Sequence, residues 1–197
     1  MSLTFSYCLI TDRKLCREPL EEIARSAERA GVDFFQLREK DLSPTELLEM
    51  ARRIRVELVR TRFVINGELG VAIAAGADGV HLQQSHVPIA AVRRHFPDMF
   101  IGYSAHSKQE IRVAEGEGAD YVFCSPVFPA RSKKSELEPI GRDALARWIQ
   151  GVRIPVFGLG GVDISNLRDL REAGCRGAAG ISLFLNRGCF DSTGMVI

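Results

Sequence analysis

Side chains that can bind an anion stand at the end of one apolar run, in the stretch QLREK over residues 36–40. Gln36 and Arg38 are two positions apart, so an extended strand places them on the same face, and Lys40 follows them. A buried amide or guanidinium costs free energy unless it is paired or binds a ligand. Two interpretations stay open: an internal Arg–Glu pair that fixes the strand end, or a face that binds an anion or a ring.

Two glycine-containing turns form a second group that could bind an anion. The stretch GLGGVD contains Gly160 and Gly161, and the stretch AGIS contains Ile181 and Ser182. Glycine allows backbone N–H groups to approach an anion closely, and plain turns are the alternative. Together the two stretches predict a phosphate site.

Groups that could move a proton occur in two further stretches. YSAHS (103–107) supplies Ser104 and His106, and FPARSKK (128–134) supplies Ser132 and Lys133. His106 is a candidate catalytic residue, with loop capping as the alternative. The basic loop around Lys133 predicts a lid that closes over an anionic ligand, with solvated surface charge as the alternative.

The stretch RFVINGELGVAIAAGADGVHLQQSH (62–86) is the first place to look for a metal site, because Asn66, His81 and His86 stand near the ends of its two apolar runs. Magnesium takes several oxygen ligands, and a set of three or more is not evident. No HExxH, GxSxG, Walker or clustered Cys/His motif occurs either. We therefore predict no metal and no cofactor, and we expect Asn66 to be a hydrogen-bonding contact in a ligand pocket.

The elements that would position these residues are strands and helices that alternate along the chain. Short, nearly continuous apolar runs alternate with amphipathic segments, as in parallel sheets that are buried on both faces. The predicted strands cover 7–11, 34–39, 62–66, 79–83, 100–105, 121–126, 154–161 and 176–182. Eight such units predict a (β/α)8 TIM barrel, in which sites lie at the carboxyl ends of the strands. The tail NRGCFDSTGMVI matches a full helix poorly, so the last helix is either truncated or replaced by an irregular tail.

Composition narrows the classes of partner. The 197 residues are 46% hydrophobic, enough to bury one large core, which predicts one domain over residues 1–197. The net charge of +1 gives no electrostatic reason to expect nucleic acid or a membrane surface as partner. No secretory signal is visible, and five scattered cysteines indicate a reducing, cytoplasmic location. The oligomeric state stays open, a homo-oligomer included.

Six strand ends occur in an order that matches a known family: QLREKDL, ADGVHLQQ, YSAHS, GADYVFCSPVFPARSKK, IPVFGLGGV and GAAGIS. From Tyr7 to about Phe184 the chain resembles the thiamin phosphate synthase family, whose superfamily also contains the thiazole tautomerases (TenI proteins). The resemblance implies a barrel that handles the phosphorylated thiazole of thiamin biosynthesis. The synthase joins thiazole phosphate to a pyrimidine diphosphate and releases pyrophosphate with magnesium. The tautomerase isomerises a thiazole carboxylate phosphate without metal.

The resemblance also implies roles for individual residues. By position, the residues that contact the pyrimidine and the diphosphate are Gln36, Arg38 and Lys40. The serine of the strand-five motif is Ser104, and the hydroxyl and lysine of the lid motif are Ser132 and Lys133. The residues that bind the thiazole phosphate are Gly160, Gly161, Ile181 and Ser182.

The chain departs from both branches of the superfamily at three positions. Gly67 and His86 stand where the synthase carries carboxylates for magnesium, and Pro126 stands where the tautomerase carries its acid–base histidine. His106, or His81 if it faces inward, could replace that histidine. The first expectation is therefore a tautomerase-like isomerase that acts on a thiazole phosphate without metal, with His106 and Lys133 as catalytic candidates. The alternatives are a magnesium-dependent thiamin phosphate synthase and a catalytically silent binder of a phosphate ligand.

Overall fold

Strands and helices alternate along the chain in the computed structural model, which describes residues 5–129 and 137–185, the last residue by its backbone only. The strands are β1 (Ser6–Ile10), β2 (Phe34–Leu37), β3 (Arg62–Asn66), β4 (Gly79–Leu82), β5 (Phe100–Ala105), β6 (Tyr121–Cys124), β7 (Val156–Gly158) and β8 (Gly177–Gly180). The helices are α1 (Leu20–Ala30), α2 (Pro44–Arg55), α3 (Leu69–Ala74), α4 (Ile89–His95), α5 (Lys108–Glu117), α6 (Arg142–Ile149), α7 (Leu167–Glu172) and α8 (Ser182–Leu185). Two 3-10 helices, Arg13–Leu15 and Ile164–Asn166, complete the set described.

The strands pair in sequence order from β1 to β8 and close into a barrel, which confirms the predicted fold class. Every pairing whose register is known is parallel. The chain groups into two compact units, Leu82–Gly180 with the residues up to Ser6, and Tyr7–His81 with the residues from Ile181. The single domain over residues 1–197 stays a prediction.

Buried aromatic rings form part of the core of each unit. In the Leu82–Gly180 unit, Tyr121 lies 5.2 Å from Phe123 and 5.8 Å from Phe157 between ring centroids. In the Tyr7–His81 unit, Phe35 and Phe63 lie on neighbouring strands with centroids 6.3 Å apart. These rings come from the apolar runs that predicted the strands.

The dipeptide Asn66-Gly67 would favour a hairpin if it were considered alone. The alanine-rich segment that follows it predicts a helix instead, and α3 occupies that segment. Strands β3 and β4 are accordingly parallel, with Asn66 in register with His81.

Several predicted elements end earlier than their patterns suggest, and for β2 and α2 side chains are the reason. Strand β2 ends at Leu37, because the Arg38 N–H donates to the Thr11 Oγ1 at 2.9 Å. The segment SPTELLEMARRIRVELVRT (43–61) predicts a helix that opens with a capping box between Ser43 and Glu46. Helix α2 has this capping box but ends at Arg55. The backbone N–H groups of residues 59–61 donate instead to the carboxylate of Glu28.

The end of the chain is only partly described. Helix α8 follows β8 directly and is described over Ser182–Leu185. The expectation of a truncated last helix or an irregular tail concerns residues 186–197, which lie outside the described part. No helix of the described residues combines the length and apolar composition needed to cross a membrane.

Candidate functional site

Gln36, on β2 of the Tyr7–His81 unit, carries an unsatisfied polar group. The residue is 1% exposed, and its Nε2 is the one buried side-chain nitrogen or oxygen in the described residues that has no hydrogen-bond partner. A buried donor without a partner costs about 1–3 kcal/mol. Such a group is explained when a ligand supplies the missing acceptor.

Arg38 lies two residues further along and is half-buried. Its backbone N–H is bound by Thr11, but its guanidinium makes no hydrogen bond or ion pair within the described part of the chain. Burial lowers the pKa of Arg38, and the nearby carboxylates of Asp12 and Glu39 oppose that effect. An arginine remains charged under these conditions, so this guanidinium is available to an anion.

The internal Arg–Glu pair that the sequence allowed is present, but Arg38 does not form it. Glu39 pairs with Arg13, whose Nη1 donates to Oε2 at 3.0 Å. Arg13 also donates to both oxygens of Asp41, at 2.6 and 2.9 Å. Lys40, between these two carboxylates in sequence, is exposed. The ion pair is therefore present on Glu39 and Arg13, and a ligand-binding face at Gln36 and Arg38 stays a prediction.

The ends of β3 and β4 carry amide and imidazole groups. Asn66 is half-buried, whereas His81 is buried and its carbonyl accepts from the Gly67 N–H at 2.8 Å. Glu68, the residue after Gly67, is exposed and makes no capping hydrogen bond to α3. This donor set does not fit a magnesium ion held by protein carboxylates.

His86, in the Leu82–Gly180 unit, caps its own loop. Its Nδ1 accepts from the Gln83 N–H at 3.1 Å, and its Nε2 lies 3.4 Å from the Gln83 Nε2. The imidazole is thereby committed to the loop, and neutral imidazole is a poor magnesium ligand. Across the described residues no group of three His, Cys, Asp or Glu side chains could hold a metal ion.

The turn after β7 presents two consecutive glycines at positive φ. Gly160 has φ +84° and Gly161 has φ +65°, a region that side chains other than glycine rarely adopt. The Gly160 carbonyl accepts from the Phe128 N–H at 3.0 Å, and the Gly161 carbonyl accepts from Asn166 Nδ2 at 2.8 Å. Neither glycine N–H has a partner among the described residues. A turn whose carbonyls already accept hydrogen bonds, and whose backbone N–H groups have no partner among the described residues, is suited to binding an anion.

A close contact explains why this turn needs glycine. A Cβ on Gly160 would lie 2.8 Å from the Pro126 Cα, and a Cβ on Gly161 would lie 2.5 Å from the Phe128 carbonyl oxygen. The chain after β6 therefore packs directly on the glycine turn. A larger side chain would displace one from the other.

His106, after β5, is held against the segment that contains Pro126. Its Nδ1 lies 2.7 Å from the Ser125 carbonyl oxygen, and its backbone N–H donates to Glu110 Oε2 at 2.8 Å. A carbonyl only accepts, so Nδ1 carries the hydrogen of the neutral ring and Nε2 keeps a lone pair. The exposed imidazole thus lies next to Ser125 and Pro126, and its role as a base stays a prediction.

The other predicted residues are distributed as follows. Ser104 is half-buried on β5, and Ile181 and Ser182 follow β8, the first half-buried and the second exposed. Ser132 and Lys133 lie outside the described residues.

Sequence reasoning missed Thr11 and Glu39, which organise the end of β2. Glu39 appeared only as part of the QLREK motif, and Thr11 only as the last residue of a predicted strand. Thr11 ends an apolar run with a polar side chain, the same signal that selected the other candidates.

Comparisons with known proteins identify the family. A family model described as thiamine monophosphate synthase (TMP-TENI) matches residues 7–184. A thiamine-phosphate synthase of Desulfitobacterium hafniense is 37% identical over 205 aligned positions, covering 100% of this chain and 98% of the relative. One of Archaeoglobus fulgidus is 38% identical and covers 90% of this chain and 84% of the relative. The solved thiamine phosphate pyrophosphorylase of Pyrococcus furiosus has a TM-score of 0.81 and 32% identity, and covers 92% of this chain and 87% of that one.

Proposed function

The chain belongs to the thiamine monophosphate synthase family, and on this premise we propose that it joins a pyrimidine diphosphate to a thiazole phosphate with release of pyrophosphate. The single observation that carries the proposal is the unpaired, buried amide of Gln36. A synthase must recognise a pyrimidine ring, and the ring nitrogens are acceptors that such an amide can satisfy. This reverses the order of the sequence-based expectations, which ranked the tautomerase first; the relatives support the synthase alternative better.

Arg38 supplies the charge that the diphosphate requires. Departure of pyrophosphate builds negative charge, which a guanidinium stabilises by bidentate hydrogen bonds. Its guanidinium has no partner among the residues that the structure describes, which supports this role, and Lys40 follows it in sequence. In this proposal Gln36 holds the ring, Arg38 and Lys40 hold the diphosphate, and Asn66 and Ser104 contribute hydrogen bonds to the substrates.

The phosphate of the thiazole substrate binds, in the same proposal, at the turn after β7. The N–H groups of Gly160 and Gly161, which have no partner among the described residues, support this placement. By the family resemblance, Ile181 and Ser182 stay expected phosphate contacts, and Ser132 and Lys133 stay expected residues of the lid motif.

Magnesium is the ion that the resemblance to the synthases implies, where it neutralises the diphosphate. The residues at the corresponding positions of this chain, Gly67 and His86, do not fit such an ion. The proposed roles of Gln36 and Arg38 do not depend on it.

A second function, tautomerisation of a thiazole carboxylate phosphate, is favoured by the orientation of His106. Its Nε2 lone pair could accept a proton, and its Nδ1–H is held by the Ser125 carbonyl. This segment packs against Gly160, whose N–H group has no partner in the described part of the chain and is proposed to bind a phosphate. A base and an anion site within one unit are what a proton transfer on a phosphorylated substrate requires.

One pair of assays separates the functions. Purified protein is incubated with hydroxymethylpyrimidine diphosphate and thiazole phosphate at several magnesium concentrations, and thiamin phosphate and pyrophosphate are measured. In parallel, isomerisation of the thiazole carboxylate phosphate is followed by NMR in the presence of EDTA. Formation of thiamin phosphate that is lost when Arg38 is replaced supports the synthase. Isomerisation alone, abolished in His106→Ala, supports the tautomerase. Binding of thiazole phosphate without either reaction identifies a silent binder and overturns both proposals.

A further inference from the structure

Glu39 is a buried carboxylate to which neither proposed reaction assigns a role. Its side chain is 1% exposed, and burial of a charge is costly unless the charge is fully paired. Its Oε1 accepts from the Thr11 hydroxyl at 2.7 Å and from the Arg13 N–H at 3.0 Å. Its Oε2 accepts from the Arg13 N–H at 3.1 Å and from Nη1 at 3.0 Å. The pairing is complete enough to fix the position of the Thr11 hydroxyl.

Thr11 in turn holds the backbone of the ligand-binding segment on both sides of Leu37. Its N–H donates to the Gln36 carbonyl at 3.0 Å, and its Oγ1 accepts from the Arg38 N–H at 2.9 Å. Because the hydroxyl hydrogen is directed to Glu39, the oxygen lone pairs face the Arg38 amide. Glu39 thus determines the orientation of Thr11, and Thr11 determines the backbone from which both proposed ligand-binding side chains extend.

We propose that Thr11 and Glu39 are positioning residues that hold Gln36 and Arg38 for the pyrimidine diphosphate. The inference rests on the proposed synthase function and deepens it. Removal of the hydroxyl frees the Arg38 amide and releases Glu39 from one of its donors. The guanidinium then loses its fixed origin, and affinity for a diphosphate falls although no group that contacts the ligand has changed.

The same unit contains a matched control at the opposite end of its strands. Thr61 is buried, and its hydroxyl donates to the Val32 carbonyl at 2.8 Å. Glu28 accepts from the Thr61 N–H at 2.9 Å and pairs with Arg60. A Thr–Glu–Arg cluster therefore also precedes β3, at the amino end, where it touches neither Gln36 nor Arg38.

The experiment compares Thr11→Val, Thr11→Ser and Thr61→Val with wild type. Calorimetric titration with inorganic pyrophosphate measures affinity, steady-state kinetics measures the KM for each substrate, and urea denaturation measures stability. Arg38→Ala identifies the fraction of pyrophosphate binding that depends on this site. Thr11→Val loses two hydrogen bonds of a buried hydroxyl and Thr61→Val loses one, so both should be less stable than wild type and Thr11→Val the less stable of the two.

The positioning role predicts that Thr11→Val weakens pyrophosphate binding about tenfold, corresponding to about one lost hydrogen bond. The KM for the pyrimidine diphosphate rises by a similar factor, and the KM for thiazole phosphate does not change. Thr11→Ser, which keeps the hydroxyl, restores the affinity, and Thr61→Val binds like wild type.

Two results would overturn the inference in distinguishable ways. If wild type binds pyrophosphate through Arg38 and Thr11→Val binds equally well, the positioning role is wrong and the proposed function stands. If wild type shows neither turnover nor binding that depends on Arg38, the proposed function fails and the positioning role fails with it.

Discussion

Replacing Gln36 with methionine should make the protein more stable and a poorer binder. Methionine fills a similar volume without a polar atom, so Gln36→Met removes the buried Nε2 that has no partner. An unsatisfied buried donor costs about 1–3 kcal/mol, and the lower end applies because the swap also changes packing. We expect the free energy of unfolding to rise by about 1 kcal/mol, which raises the Tm by about 2–4 °C in a domain of this size.

The same substitution removes the hydrogen bond to the pyrimidine ring. One neutral hydrogen bond is worth about 0.5–1.5 kcal/mol, so the affinity for hydroxymethylpyrimidine diphosphate should fall by about three- to tenfold. Urea denaturation measures the first effect and calorimetric titration the second. Leu37→Met, a buried neighbour on the same strand, is the control and should lose a little stability without loss of affinity. A Gln36→Met protein that is less stable and binds as tightly as wild type would refute the assignment.

Three further outcomes follow from the described geometry. Gly161→Ala should lower the free energy of unfolding by more than about 1 kcal/mol and raise the KM for thiazole phosphate, because its Cβ would lie 2.5 Å from the Phe128 carbonyl oxygen at a positive φ. Urea denaturation measures the first effect and steady-state kinetics the second. A KM equal to that of wild type would argue against a phosphate at this turn. His106→Gln should reduce isomerisation of the thiazole carboxylate phosphate to the buffer rate and leave thiamin phosphate formation unchanged, whereas a simultaneous loss of both reactions would indicate a structural role. Burial raises the pKa of Glu28, but hydrogen bonds from the Thr61 backbone and from Arg60 outweigh it and lower the pKa from 4.5 to about 2. This contribution to stability is present above pH 4.5 and is lost as the pH falls towards 2, so Glu28→Gln should flatten the stability profile in that window, and an unchanged profile would contradict the assignment.

The fold was predictable because each strand is a short apolar run and each run is buried. The exact bounds of β3 and β5 agree with the stretches RFVIN and FIGYSA that the sequence predicts as strands. The bounds of β2 and α2 do not follow from the local pattern, because Thr11 and Glu28 bind backbone N–H groups 27 and 33 residues away in the chain. A local pattern contains no information about such partners.

The candidate site was predictable in its residue types but not in its pairings. The motif QLREK allowed either a ligand-binding face or an ion pair. Only the fold shows that Glu39 pairs with Arg13, so that the Arg38 guanidinium has no partner among the described residues. The contact between His106 and the Ser125 carbonyl joins the ends of two strands, β5 and β6, that lie side by side. Its detection requires the register of those strands, which composition does not give.

The departures from the family pattern affected the ranking of the two reactions. Gly67 and His86 favoured the metal-independent tautomerase when the sequence was considered alone, whereas the relatives that match most of the chain are named thiamine-phosphate synthases. By the resemblance, Gly67 and His86 depart at the positions where the synthases carry carboxylates for magnesium, whereas Gln36 and Arg38 match the motif for the pyrimidine diphosphate. An account based on Gln36 and Arg38 therefore depends on the part of the pattern that this chain retains.

The most direct test of the central claim is the rate of thiamin phosphate formation in wild type and in Arg38→Met, measured side by side with both substrates and magnesium. The synthase account predicts product in wild type and a loss of at least about a hundredfold in the variant, since it removes a charged contact to the diphosphate while its Tm stays near that of wild type. Absence of thiamin phosphate in wild type, or equal rates in the two proteins, would contradict the account.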